Sequence, residues 1–391
     1  MEKRRIESID ILRGFVMILM ALDHVRDYFH KYSFFFDPTD WHQTNVTLYI
    51  TRTITHVCAP SFVFLSGISA FLAGQNKPKK EQSIFLVKRG LWIIFLELTI
   101  INFGWFFNPF FPYQIFQVMW ALGFSMICLA ALIHLPWKYI LLIGIVIIGG
   151  HNTLDDIHIS GNSAFAITWG LLFKYKLFTL FNTHCSIAYP AIPWLGTMIL
   201  GYCLGLFYTN KYNRTERNRV LLYSGLLFII LFVIIRSFNG YGEPYKWVHK
   251  ETSILTFFTF MKLSKYPPSL DFLLLTLSFA LLFLRFSDYP LNFLTKRIAV
   301  FGRVPLFFYI VHIYIIHIVA LIAAEATGFG WHSMAYLKSW VLLEPSLKGY
   351  GFSLLTVIII WLSVIIAHYP LCKKYDFYKR KNKDKWWLSY L

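Results

Sequence analysis

Apolar stretches of about twenty residues recur along the chain, separated by short polar segments, and a stretch of that length predicts a membrane-spanning helix. The pattern predicts about ten spans, near residues 9–29, 49–74, from 84 onward, 115–135, 139–150, 189–208, 220–238, 267–286, 299–324 and 350–371. The fifth span is short and is expected to tilt or to stop within the membrane. Residues 165–181, aromatic and amphipathic, are expected to lie flat in the outer interface. Gly201 and Gly205, four apart in the sixth span, offer a small-residue face for close helix packing. The fold class is therefore all-α and polytopic, a single integral-membrane domain over 1–391, with a basic tail at 372–391 that suits an anionic inner leaflet.

Polar positions break this pattern most sharply in the first span, IDILRGFVMILMALDHVRDYF, which carries Asp10, Arg13, Asp23, His24, Arg26 and Asp27. At 100° per residue, Arg13 and His24 fall about 20° apart around the helix, and Asp10 and Asp27 lie within roughly 60° of that line. The rise between Arg13 and His24 is about 16 Å. Ionisable groups at membrane depth are costly, which makes this face a functional candidate rather than a set of snorkelling side chains.

Composition agrees with a membrane chain: of 391 residues, 57% are hydrophobic, 19% aromatic and only 15% charged. The net charge of +17 raises nucleic acid as a partner. Lys and Arg, however, concentrate in the loops and ends on the amino-terminal side, which makes the charge a topology signal with both termini cytoplasmic. MEKRR before an apolar stretch resembles a signal peptide, but the stretch is too long and too charged and reads as a retained helix. The five cysteines are scattered, without disulfide or metal-ligand spacing. No phosphate loop, dinucleotide fingerprint, HExxH or GxSxG is present, and no bound metal is expected.

His24 is the strongest candidate for proton transfer, since a neutral imidazole can take a proton from an attacking hydroxyl or amine. Asp23 is its neighbour in sequence, and Asp27 at i+3 is placed to orient the ring. Arg13, with Lys88 and Arg89 in the opening turns of the third span, forms a candidate anion site. Lys88 and Arg89 equally suit an ordinary positive-inside anchor. Pro60, four residues after His56, removes a backbone donor and is expected to kink the second span there. In the ninth span, Tyr309 and His312 share a face, whereas His312 and His317, five apart, make a poor metal pair. Asp10, Arg26, His56, Ser66, Trp194, Arg303, Tyr309 and His312 complete the candidate cavity.

Four motifs then carry a family resemblance: SIDILRGFVMILMALDH, SFVFLSGISAFL, YPAIPWLGTMILGYCLG and FGRVPLFFYIVHIYIIH. The chain resembles the transmembrane acyltransferase superfamily, and is most similar to its heparan-α-glucosaminide N-acetyltransferase-like branch. The resemblance implies a bacterial inner-membrane enzyme that takes an acyl group, acetyl foremost, from cytoplasmic acyl-CoA. It would deliver that group to a hydroxyl or amine of an extracytoplasmic glycan or glycolipid. Acyl-CoA would be a co-substrate, with no tightly bound cofactor and no nucleic-acid partner. His24 and Arg13 match the histidine and the RG pair of the first motif, while Lys88 and Arg89 stand in for a basic cluster. A second histidine of the family falls after the first helix, so His30 and His42 stand beside His24 as candidates for the base. A transporter or flippase for a small anion or lipid-linked sugar is the alternative, disfavoured by the missing internal repeat.

Overall fold

The structure, a computed structural model, describes residues 6–35, 39–40, 43–385 and 388. In chain order it contains α1 (Glu7–Phe29), α2 (Val46–Thr55), α3 (Cys58–Gly74), α4 (Lys79–Leu96), a π-helical turn (Glu97–Ile101) and α5 (Asn102–Phe106). Then come β1 (Tyr113–Phe116), α6 (Val118–Leu132), α7 (Trp137–Gly150), α8 (Ala164–Phe173), β2 (Lys176–Leu180), β3 (Thr183–Ile187) and α9 (Ala191–Leu204). The chain continues through α10 (Arg214–Phe238), α11 (Ser253–Met261), α12 (Leu270–Phe286), α13 (Phe293–Arg303), α14 (Pro305–Ala326) and α15 (Leu354–Lys381).

Among the described residues, six helical stretches are long and apolar enough to cross a membrane: Val46–Gly74, Trp137–Leu154, Ala191–Tyr208, Arg214–Phe238, Pro305–Ala326 and Leu354–Lys381. The other four expected spans are helices too. Two of them, α1 and α4, carry more charge, and the other two, α6 and α12, are shorter. Only 22% of the apolar window of α10 and 17% of that of α15 is buried. Leu226, Ile230 and Val233 on α10, and separately Ile359 and Ile366 on α15, are exposed apolar side chains that suit lipid chains rather than water. This is the surface of a multi-pass membrane protein.

Several elements differ from the sequence expectation, each for a local reason. The second span is two helices, α2 and α3, broken at His56 and Val57. Pro60 donates no hydrogen bond to the His56 carbonyl and its ring crowds it. The ninth span is also two helices, because Val304 (φ −131°, ψ 52°) leaves the helix and Pro305 opens the next one at its first position. Residues 115–117 are not helical, since β1 pairs beside β3 before α6 begins. Residues 165–181 form α8 beyond its first residue and then strand β2, which returns through the left-handed Phe181 and Asn182 (φ 48° and 63°) into β3. Among the described residues the fold is thus helical with one small three-stranded sheet, order β1-β3-β2. An Asn213–Glu216 capping box starts α10 earlier than expected, at Arg214. At the other end of the chain, α15 runs through Pro370 into the basic tail as far as Lys381.

The chain forms two compact units. Unit one holds the described residues up to 58, 99–113 and those from 286 onward; unit two holds 59–98 and 114–285. In unit two, α9 meets α3 at Gly201, where a Cβ would lie 2.0 Å from the Phe64 carbonyl oxygen. Any side chain would push the two backbones apart, so this is the small-residue contact that the spacing predicts.

Unit one is organised around α1, which is buried along most of its length. Its closest neighbour is α13. A Cβ on Gly14 would stand 2.0 Å from the Ile298 carbonyl oxygen, and one on Gly302 would stand 1.9 Å from that of Asp10. On another side, Trp361 of α15 donates its indole N–H to the Ile18 carbonyl (2.9 Å). At its carboxyl end, the Phe29 carbonyl accepts from Phe352 N–H (2.7 Å), and Lys31 N–H donates to the Phe352 carbonyl (3.1 Å). The long connection between α14 and α15 is fastened to α5 and the residues after it. Leu337 and Tyr336 N–H donate to the Phe106 and Phe107 carbonyls (3.1 and 3.3 Å), and Asn108 Nδ2 donates to the Leu337 carbonyl (3.1 Å).

Candidate active site

The carboxyl-terminal half of α1 presents two polar constellations, both within unit one. The first is an ion cluster around Asp23, whose residue is 6% exposed. Its carboxylate accepts from Arg26 one turn later and from Arg52 Nη1 on α2 (2.8 and 3.0 Å to its two oxygens). Thr55 Oγ1 donates to it as well (2.8 Å). Arg52 and Thr55 reach it together because residues three apart share a helix face. Arg26 is 1% exposed, and a second carboxylate, Asp27, has Oδ1 3.6 Å from its Nη2. Two arginines and two aspartates therefore neutralise one another inside the fold, which is what buried charge requires.

The second constellation is a set of rings around His24, which is half-buried where its neighbours are enclosed. His24 Nδ1 lies 2.8 Å from Nε2 of His312 on α14. The two rings are 5.0 Å apart and nearly parallel (19°). Trp105 of α5 stands edge-on to His24 at 4.7 Å, and half-buried Trp340 packs on Trp105 at 5.0 Å. Behind His312 lie Phe308, stacked at 5.1 Å, Tyr309, edge-on at 5.6 Å, and His368, edge-on at 6.5 Å. His317 is a brace of the same unit: its Nδ1 lies 2.8 Å from the Gly104 carbonyl and its Nε2 2.8 Å from that of Met334. With both nitrogens against carbonyl oxygens, it ties α14 to α5 and to the loop after α14.

The other end of α1 holds the remaining first-span candidates. Arg13 Nη1 donates to the Gly302 carbonyl of α13 (3.1 Å) and lies 3.6 Å from Asp10 Oδ1. Arg303, next along α13, donates from Nε to Asp376 Oδ2 on α15 (2.7 Å), where Arg380 Nη2 also arrives (3.0 Å). His56 is buried at the end of α2. Lys88, exposed, and Arg89, whose guanidinium lies 6.0 Å over the Phe85 ring, are on α4 in unit two. Ser66 and Trp194 belong to unit two as well. The Ser66 hydroxyl returns to the Phe62 carbonyl (2.9 Å), and Trp194 is fully buried with Tyr189 5.0 Å away.

Of the competing histidines after the first span, His42 lies outside the described residues. His30 is buried at the end of α1, edge-on to Tyr32 at 5.5 Å, with no hydrogen-bond partner for Nδ1 among the described residues. Burial, reinforced by the charges of Arg26 and Lys31, lowers its pKa to about 4. It is therefore neutral at physiological pH, but enclosed.

The structure thus brings together His24 and His312, with Tyr309 behind them, and separately Asp23, Arg26 and Asp27. Sequence reasoning missed Trp105, Trp340, Thr55 and the part of Arg52 as Asp23's partner. Arg52 and Thr55 carried a faint signal, as polar residues three apart on an apolar helix. Trp105 and Trp340 carried none, because aromatic residues are common throughout the chain.

No curated protein matches the chain. A family model for the catalytic region of heparan-alpha-glucosaminide N-acetyltransferase does match it, over residues 5–234. The match covers more than half of the sequence, including α1 with His24 and the Asp23 cluster, while His312 and Trp340 lie beyond it. The chain belongs to the heparan-α-glucosaminide N-acetyltransferase catalytic family.

Proposed function

We propose that this protein is a bacterial inner-membrane acetyltransferase that moves an acetyl group from cytoplasmic acetyl-CoA to an amine or hydroxyl of an extracytoplasmic glycan or glycolipid. The observation that carries the reading is the half-buried His24, held against His312 on a buried, charged helix inside the family-matched region. His24 is the general base. It takes the acceptor's proton as the acceptor nitrogen or oxygen attacks the thioester carbon. Collapse of the tetrahedral intermediate breaks the carbon–sulfur bond, and the proton passes from the ring to the thiolate, releasing CoA as the thiol.

Half-buried Trp340, backed by the buried Trp105, offers an aromatic surface that suits a sugar ring, which presents C–H groups on one face and hydroxyls at its edge. Arg13 is the group for the nucleotide end of the donor, about 16 Å from His24 along the same helix. In this reading the Asp23 cluster holds the shape of α1 and α2, and His24 carries the chemistry. The test is transfer of label from acetyl-CoA to envelope glycans by purified full-length protein. A folded His24→Ala protein is expected to lose transfer by about two orders of magnitude or more. Transfer at the wild-type rate would remove His24 from the mechanism.

A further inference from the structure

The contact between His24 and His312 has a direction, and that direction is set by an atom that can only accept. His312 Nδ1 lies 3.0 Å from the carbonyl oxygen of Phe308, one turn back on α14. A carbonyl has no hydrogen to give, so His312 Nδ1 carries the proton of this bond. In a neutral ring, Nε2 of His312 is then a lone pair, and it faces His24 Nδ1 at 2.8 Å. His24 must donate from Nδ1, which leaves the lone pair of His24 on Nε2.

We infer that His312 is a positioning residue: it fixes the Nδ1–H tautomer of His24 and so makes Nε2 the basic atom. This rests on the reading of His24 as the general base. His312 is suited to the task because it cannot easily turn. It is fully buried, stacked on Phe308 and flanked edge-on by Tyr309 and His368. When His24 Nε2 takes the acceptor's proton, the ring becomes a cation whose Nδ1–H points at the His312 lone pair. The neutral hydrogen bond becomes a charge-assisted one at the moment of reaction. A carboxylate commonly serves this purpose for a catalytic histidine. Here the nearest carboxylate in sequence, Asp23, is taken up by Arg26, Arg52 and Thr55.

Two measurements test the inference. Full-length protein labelled with 15N-histidine, its His24 resonances assigned by comparison with His24→Asn, reports the tautomer directly. Protonated Nδ1 and unprotonated Nε2 on His24 are expected; protonated Nε2 on the neutral ring would overturn the inference, whichever acceptor the enzyme prefers. The second measurement is kinetic, with labelled acetyl-CoA and glucosamine as the probe acceptor. His312→Leu is expected to lower kcat by about 100-fold while KM for acetyl-CoA stays within about threefold. His312→Gln, whose amide oxygen can accept from Nδ1–H, is expected to restore about tenfold of that loss. Equal losses in folded Leu and Gln variants, or a His312→Leu protein at full kcat, would overturn the positioning role. Wild-type transfer by His24→Ala would instead fault the reading beneath it, so the two failures are separable.

Discussion

Replacing Asp23 by Ala removes the acceptor of four side-chain hydrogen bonds, from Arg26, Arg52 (two) and Thr55. The cost falls unequally on the partners. The Arg52 side chain is 14% exposed and can turn toward water, and Thr55 already shares its hydroxyl with the Arg52 carbonyl (2.8 Å). Arg26 has no such exit: its side chain is 1% exposed, and the carboxylate left to it, Asp27, is 3.6 Å from Nη2. Removing one partner of a buried pair costs about 3–5 kcal/mol, chiefly because a charge is stranded. With Asp27 still present, the lower end applies, about 3 kcal/mol. Asp23→Asn keeps the shape but not the charge, and is expected to lose nearly as much. Adding Arg26→Met to Asp23→Ala takes away the stranded cation and should recover at least about half of the loss. The assay is unfolding by SDS titration in mixed micelles, followed by tryptophan fluorescence. If Asp23→Ala and Asp23→Asn both lie within about 1 kcal/mol of wild type, the cluster is a solvated surface group and the reasoning fails. Transfer by the folded fraction of Asp23→Asn is expected to persist where that of His24→Ala does not, which separates scaffold from base.

Other outcomes follow from contacts in unit one. Gly302→Ala places a Cβ 1.9 Å from the Asp10 carbonyl oxygen and must part α1 from α13 by about an ångström. A loss at or above the upper end of the usual overpacking cost, about 3 kcal/mol, is expected in the same titration; a neutral substitution would mean that these helices do not touch at Gly302. For His30, the folded ring stays neutral down to about pH 4, whereas the unfolded chain takes a proton near its ordinary value of 6.5. Its contribution to stability is whole above 6.5 and is lost as pH falls from 6.5 toward 4, because only the unfolded state gains a proton there. Thermal unfolding across that window should show a steeper acid slope for wild type than for His30→Gln, and identical slopes would contradict the burial.

How much of this was legible in the sequence depended on whether the cause was local. The break at His56 was readable because Pro60 acts on its own helix, four residues back. The equivalent break before Pro305 is masked in the sequence, since the residues on either side are apolar enough to read as one span. The hairpin at 176–187 was hidden for a different reason. Its two strands are only five residues each and mix apolar with polar side chains, and the left-handed Phe181 and Asn182 lack the glycine that marks most such turns. At the site, helical spacing placed Arg13 and His24 on one face of α1 and paired Tyr309 with His312. What spacing could not supply was the partner. Asp23 is the residue beside His24 in sequence, yet successive residues on a helix point about 100° apart, and that turn sends Asp23 to α2 and His24 to α14.

The break at Val304 explains how one face of α1 serves two purposes. Arg13 and His24 lie nearly in line, about 16 Å apart, so a helix that touches both must follow α1 for about three turns. Packed helices cross at an angle and diverge within a few turns of their closest point. The closest point is at Gly14 and Gly302, where the backbones nearly touch and Arg13 reaches the Gly302 carbonyl. By stopping at Arg303 and starting again at Pro305, the chain sets a new direction, and α14 brings His312 to His24 seven residues later. The proline that interrupts the apolar pattern thus lies between the element that meets Arg13 and the element that meets His24. It also gives a reason for keeping so polar a helix in the middle of the fold. The polar groups of α1 meet three different neighbours, α13 at Arg13, α2 at Asp23 and α14 at His24, while Asp10 and Arg26 find charged partners on α1 itself, so the helix can be buried with these charges paired.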